Sequence, residues 1–208
     1  MRFRIVSLLA GLLASCGAQN PSVADLYVQA KTAYAEGRFD NALDRLRELL
    51  ARQPSFAPAR LLLGRTQFFH RDYEPARLTL ERLAVDRPDS VEAALWLIRT
   101  LLQLQKSAEA EILLERLLGV NPDDSRLAYQ MALLRESRGD TAGARDFLLS
   151  AAAAEEDGAL VRFELGRLYY QDGRTAKARE ELSKALSLAG PESLLRRPLQ
   201  ALLAEVDR

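Results

Sequence analysis

The 208-residue chain contains one cysteine, one histidine, one tryptophan and two methionines. A single cysteine excludes an internal disulfide, and one histidine leaves too few donors for a Cys/His zinc site. Basic and acidic residues balance at 29 each, so the positive field of a nucleic-acid binder is missing. No glycine-rich phosphate loop occurs, and no serine or cysteine nucleophile has a histidine suitably placed to activate it. These absences point away from an enzyme, a metal, a cofactor, a small-molecule substrate and a nucleic acid. His70 reads as an exposed residue in a turn, the Glu155–Glu156–Asp157 run as a solvated acidic helix end, and Trp96 as packing. What remains is ordinary for a folded domain: 48% hydrophobic and 28% charged residues, in a chain long enough for one core or a short solenoid.

The N-terminus reads as a targeting segment. Arg2 and Arg4 precede an apolar run, Ile5 to Ala14, which is too short to span a bilayer but suits a signal peptide. Small residues follow and end at the single cysteine. Leu13-Ala14-Ser15-Cys16 resembles a bacterial lipobox. The resemblance implies removal of residues 1–15 and attachment of lipid to Cys16, with several acyl chains giving stable anchoring. Cleavage there removes two bases and no acid, so no polybasic patch assists the anchor. Gly17 follows the cysteine, not the Asp that retains lipoproteins at the inner membrane in enterobacteria. This leans to the outer membrane, periplasmic side. Residues 16–22 then form a lipidated cysteine and short tether. Gly17 to Ser22 reach roughly 20 Å when extended.

From residue 23 the sequence keeps a 34-residue period. Pro54, Pro88 and Pro122 obey it, as do Ala42, Ala76, Ala110, Ala144 and Ala178, and Leu46, Leu80, Leu114, Leu148 and Leu182. Five units follow without insertion: 23–56, 57–90, 91–124, 125–158 and 159–192. Each holds two helical segments, here called A and B. Alanine at unit position 20 lets the two helices approach, and leucine at 24 lies one turn along the same face. Proline at 32 cannot continue helix B, and the Asp and Ser residues after it suit the start of the next helix A. One unit cannot bury its own apolar face, so stacking is obligatory. Pro191 to Arg208 place Leu195, Leu199, Leu202, Leu203 and Val206 at helical spacing. Residues 193–208 therefore read as a capping helix, with Pro198 in its first turn.

This ruler resembles the tetratricopeptide repeat (TPR), most clearly in "YAEGRFDNALDRLRELLARQP" and "LGRLYYQDGRTAKAREELSKAL". The chain departs from the family at position 4, where Trp is favoured and Leu26, Arg60, Ala94, Ala128 and Arg162 stand. Unit 3 has Gln105 where the turn glycine belongs. The resemblance implies an all-α, right-handed superhelical solenoid of five helix-turn-helix units plus the capping helix, with the A helices lining a concave surface.

On that surface positions 5, 9 and 12 fall on one stripe. They bring forward Tyr27, Lys31 and Tyr34 in unit 1, Arg65 and Phe68 in unit 2, Arg99 in unit 3, Tyr129 in unit 4, and Phe163, Arg167 and Tyr170 in unit 5. Two readings of these residues stand. The bases make local ion pairs and the rings pack between repeats, or the stripe is a binding groove, since aromatics and arginine are enriched at interface hot spots. The second predicts a peptide with apolar side chains and at least one carboxylate. A chaperone-type carboxylate clamp is not implied, because Val28, Lys31, Leu62 and Arg65 occupy positions where that pattern needs asparagine. The expected function is a lipid-anchored protein-interaction scaffold of the bacterial cell envelope that assists assembly of an envelope complex. The alternative is a docking adaptor for a periplasmic cell-wall or polysaccharide enzyme. A pentatricopeptide-type RNA binder is disfavoured by its 35-residue period and by the export signal.

Overall fold

The computed structural model describes residues 20–154 and 158–208. The expected signal peptide, Cys16, the first residues of the tether and the 155–157 acidic run lie outside the described residues. Among the described residues every regular element is a helix. The A helices are α1 (Val23–Ala35), α3 (Ala57–Phe69), α5 (Val91–Gln103), α7 (Ser125–Ser137) and α9 (Ala159–Gln171). The B helices are α2 (Phe39–Arg52), α4 (Tyr73–Asp86), α6 (Ser107–Val120), α8 (Thr141–Ala154) and α10 (Thr175–Leu188), and α11 (Arg196–Val206) ends the array. Every A helix occupies unit positions 1–13 and every B helix positions 17–30, so the 34-residue ruler is a ruler of helix boundaries.

Local chemistry explains those boundaries. Ser22 and Asp25 form a reciprocal capping box at α1: the Asp25 N–H donates to Ser22 Oγ at 3.1 Å and the Ser22 N–H to Asp25 Oδ2 at 3.0 Å. Ser90 accepts from the Ala93 N–H at the start of α5, and Asp124 from the Arg126 and Leu127 N–H groups at α7. The A–B turn needs a left-handed residue at position 15. Gly37, Gly139 and Gly173 supply it, and units 2 and 3 force Arg71 (φ 69°) and Gln105 (φ 60°) into the same conformation. The turn geometry is thus kept even where the glycine is lost.

Packing repeats with the sequence. The position-20 alanines are fully buried in all five units, and the position-24 leucines are buried beside them, each contributing about 2 kcal/mol. In units 2 and 5 that leucine lies on a glycine of helix A. A Cβ on Gly64 would sit 2.7 Å from Leu80 side-chain carbons, and one on Gly166 would sit 2.5 Å from Leu182 Cγ. Unit 3 has the fully buried Ile98 at the same position, and α5 and α6 approach each other less closely than the other A–B pairs. The departures at position 4 also have a physical account. Arg60 bonds Asp86 and the Pro54 carbonyl, and Arg162 reaches Glu181 at 3.1 Å. In these two units a charged tie to helix B replaces a large ring.

The ends differ. Arg145 on α8 bonds Asp172 after α9, and Arg179 on α10 bonds Asp207 after α11 at 2.5 Å. The same contact one unit later shows that α11 stands where the A helix of a sixth unit would stand. It covers the last repeat through the fully buried Leu199 and through Val206, and Pro198 falls in its first turn. At the other end, Pro21 and Ser22, read from sequence as tether, belong to the fold. The Pro21 carbonyl accepts from Arg52 at 2.6 Å, and Ser22 is the cap of α1. A tether after Cys16 therefore ends before Pro21.

Candidate binding groove

The A helices α1, α3, α5 and α7 stand in sequence beside one another and present positions 5, 9 and 12. Two cavities open along this wall. The first, about 570 Å³, is lined by Tyr27, Lys31, Tyr34, Leu61, Arg65 and Glu92 among others. The second, about 350 Å³, includes Leu95, Arg99, Tyr129, Leu160 and Val161. Of the residues singled out by sequence, Tyr27, Lys31, Tyr34, Arg65, Arg99 and Tyr129 line one or the other. Phe68 lines neither: it is half-buried, 5.6 Å from the rings of Tyr73 and Trp96. Phe163 and Tyr170 are half-buried against the C-terminal core.

The cations of the stripe have different fates, set by one offset. Position 12 of units 1 and 4 faces position 9 of the unit that follows, 31 residues on. Tyr34 faces Arg65, whose Cζ lies 5.2 Å from the ring centre while Nη2 donates to the Tyr34 hydroxyl at 3.3 Å. Glu136 faces Arg167, which donates to it and to Glu164, each at 2.7 Å. Arg167 is therefore neutralised by two carboxylates, and its proton affinity is raised, first by the hydrogen bond to Glu136. Tyr129, next to this cluster, has its phenol pushed up to about 12, chiefly by burial and then by the charge of Glu164.

The N-terminal half is organised by rings. Trp96, only 8% exposed, lies between two arginines: Arg65 Cζ is 5.1 Å and Arg99 Cζ 4.8 Å from its centre. Tyr34, Arg65, Trp96 and Arg99 thus alternate ring and cation along the wall. An aromatic face orients a guanidinium without occupying its N–H donors, so Arg99 keeps both charge and hydrogen-bonding capacity. Glu92 approaches Arg65 at 3.5 Å, and Arg65 Nε is buried with no acceptor. Arg99 and Lys31 are exposed and have no carboxylate partner among the described residues, Lys31 lying 5.9 Å from the Tyr27 ring centre. Sequence reasoning missed Trp96 as a platform and Glu92 as a competitor. The 31-residue offset would have separated Arg65 from Arg167.

His70, read as a plain turn residue, caps α3 and ties units 1 and 2 together. Its Nδ1 is 2.9 Å from Asp72 and its Nε2 3.1 Å from Asp40. The imidazole pKa is raised above its ordinary value, first by the hydrogen bond to Asp72.

One family model described as tetratricopeptide repeat matches residues 33–90 and 84–134, and a second of the same description matches 129–193. No curated protein matches the chain. Among solved structures, a thermophilic TPR protein of Thermus thermophilus is similar at 24% identity and a TM-score of 0.72, covering 89% of this chain and 98% of that one. A tetratricopeptide repeat protein from Parabacteroides merdae ATCC 43184 gives 19% and 0.73, over 92% and 73% of the two chains. MamA from Desulfovibrio magneticus RS-1 gives 17% and 0.65, over 80% and 94%. At these identities the likeness is one of fold.

Proposed function

We propose a function from one premise: the chain belongs to the tetratricopeptide repeat family. Its fold is that of a protein-interaction scaffold, and its partners are proteins. The partner offers an acidic segment to the N-terminal half of the groove and an apolar side chain to the cavity beside Leu95, Tyr129 and Val161. The observation that carries this reading is the row Lys31, Arg65 and Arg99. Lys31 and Arg99 lie against rings with no carboxylate partner among the described residues, and Arg65 lies against rings with one distant carboxylate, Glu92 at 3.5 Å, while Arg167, at the same unit position, is closed off by two glutamates. Charge-assisted bonds to a carboxylate are the strong ones, and a ring-braced arginine loses little freedom in making them.

Fluorescence anisotropy with labelled peptides tests this. A peptide alternating glutamate with leucine or phenylalanine should bind, and its lysine counterpart should not. Arg65→Ala with Arg99→Ala should weaken binding by at least about tenfold, the loss of one or two charge-assisted bonds, with little change in melting temperature. Equal binding by the double variant and the parent would refute the groove reading.

The scaffold is further proposed to be held at a membrane of the bacterial envelope by lipid on Cys16. The support is the ordered basic, apolar and small-residue run that ends in Leu13-Ala14-Ser15-Cys16. With Pro21 and Ser22 part of the fold, the first repeat would sit close to the bilayer. Cys16→Ala should move the protein to the soluble fraction; continued co-fractionation with membranes would overturn the anchor.

A further inference from the structure

The groove belongs to the A helices; the outward faces of the B helices carry a separate pattern. Position 22 lies about 200° around the helix from the buried position 20, at 100° per residue. It is Asp44, Asp146 and Glu180 in units 1, 4 and 5, but Leu78 and Ile112 in units 2 and 3, 59% and 65% exposed. Two turns on, at position 29, Val85 on α4 is 80% exposed; on α6 that position is Gly119, followed by the 76% exposed Val120 at position 30. Between them come Glu81-Arg82 on α4 and Glu115-Arg116 on α6. Only these two helices share the order apolar, Glu, Arg, small or apolar at positions 22, 25, 26 and 29.

On α4 the fold already uses Glu81, which accepts from Arg77 at 2.7 and 2.8 Å; the other charges of the ridge are freer. Arg82 and Arg116 are exposed and have no carboxylate partner among the described residues, and Glu115 reaches only Arg135, at 4.0 Å. Leu78, Val85 and Ile112, the aliphatic side chains on the register, expose roughly 400 Å² together, within the size of an apolar patch that is often functional on a monomer.

We propose that the ridge is the seat of a second copy of this chain, in a two-fold dimer. The ridge is self-complementary. A two-fold axis running across α4 and α6 sets each helix antiparallel to its own copy, so that positions related about the Glu-Arg pair meet. Position 22 then meets 29, and 25 meets 26. Leu78 lies against the copy's Val85. Ile112 lies over the copy's Gly119, where a Cβ would find nothing within 4 Å, leaving room for a large side chain. Glu115 meets the copy's Arg116, and symmetry makes that pair twice. One register serves both helices, because they carry the same positions 34 residues apart. At the ridge positions each helix sets one Glu against one Arg, so the ridge has no basic excess to draw it to an anionic bilayer. Two such patches bury on the order of 1,000 Å², the low end for a specific interface, which fits a reversible dimer. The grooves of both copies stay open, giving two binding sites per particle. The inference stands independently of what the groove binds.

Sedimentation velocity of the purified full chain from roughly 1 to 100 µM tests it, with three variants and far-UV circular dichroism to confirm folding. The parent should shift from monomer to dimer within that range. Arg116→Glu sets Glu against Glu and should weaken association at least about tenfold; adding Glu115→Arg reverses both signs and should restore it to within about threefold. Ile112→Asp should abolish it. A parent that stays monomeric, an Arg116→Glu chain that associates like the parent, or a swap that fails to restore would each overturn the dimer.

Discussion

Two substitutions of the same chemical kind should have opposite effects on stability. Gly166→Ala in α9 puts a methyl 2.5 Å from Leu182 Cγ, 2.8 Å from its Cδ2 and 3.3 Å from the Ala178 carbonyl oxygen. Leu182 and Ala178 are both fully buried, so neither side of the seam has room to give. Helix propensity favours alanine by about 1 kcal/mol, whereas overpacking of a tight seam costs about 1–3 kcal/mol and more where backbone must shift. The net expectation is a loss of about 1–2 kcal/mol. Gly119→Ala in α6 meets nothing within 4 Å and should gain about 0.5–1 kcal/mol from propensity alone. The measurement is urea unfolding followed by circular dichroism at low micromolar concentration. Hydrogen exchange then shows whether the Gly166→Ala loss is confined to α9 and α10, as expected of an array held by nearest-neighbour contacts. A Gly166→Ala chain as stable as the parent would refute the idea that the position-8 glycine is there for close approach. Units 1 and 4 accept Ala30 and Ala132 at this position, so the claim concerns the spacing of this helix pair and not the repeat in general.

Arg71→Gly and Gln105→Gly relieve left-handed residues and should each stabilise by up to about 1 kcal/mol, read as a higher urea midpoint; a lower midpoint would contradict the strain. His70 has its pKa raised in the fold, so its contribution is full below the free-histidine value of about 6.5 and fades as pH rises through the folded value. Thermal melts at several pH values should show the gap between parent and His70→Gln shrinking on the alkaline side; a gap that widens there would reverse the sign assigned to the Asp72–His70–Asp40 bridge. Leu199→Ala removes a fully buried side chain of α11 and should cost about 2–5 kcal/mol. Its first sign should be loss of exchange protection in α10, and unchanged protection there would mean that α11 is not the cap.

The number of units, two helices in each, and the buried Ala–Leu seam were legible in the chain before any coordinates. In an ungapped repeat each residue's neighbours lie at fixed offsets, so periodicity reports burial directly. The cap was legible too, from Leu199 and Val206 at helical spacing. The state of the groove was less so. Lys31, Arg65, Arg99 and Arg167 occupy one unit position and look equivalent in the sequence. Tertiary structure separates them, because Arg65 meets a tyrosine across the inter-unit gap and Arg167 meets a glutamate. It also turned Trp96 from packing into a platform for two cations and gave His70 two aspartate partners from neighbouring units. The fold follows from the repeat, since the contacts of the seam lie within a unit or its neighbour. Which charges remain available to a partner was decided only in three dimensions, because a cation's availability depends on the groups that reach it across the gap between units.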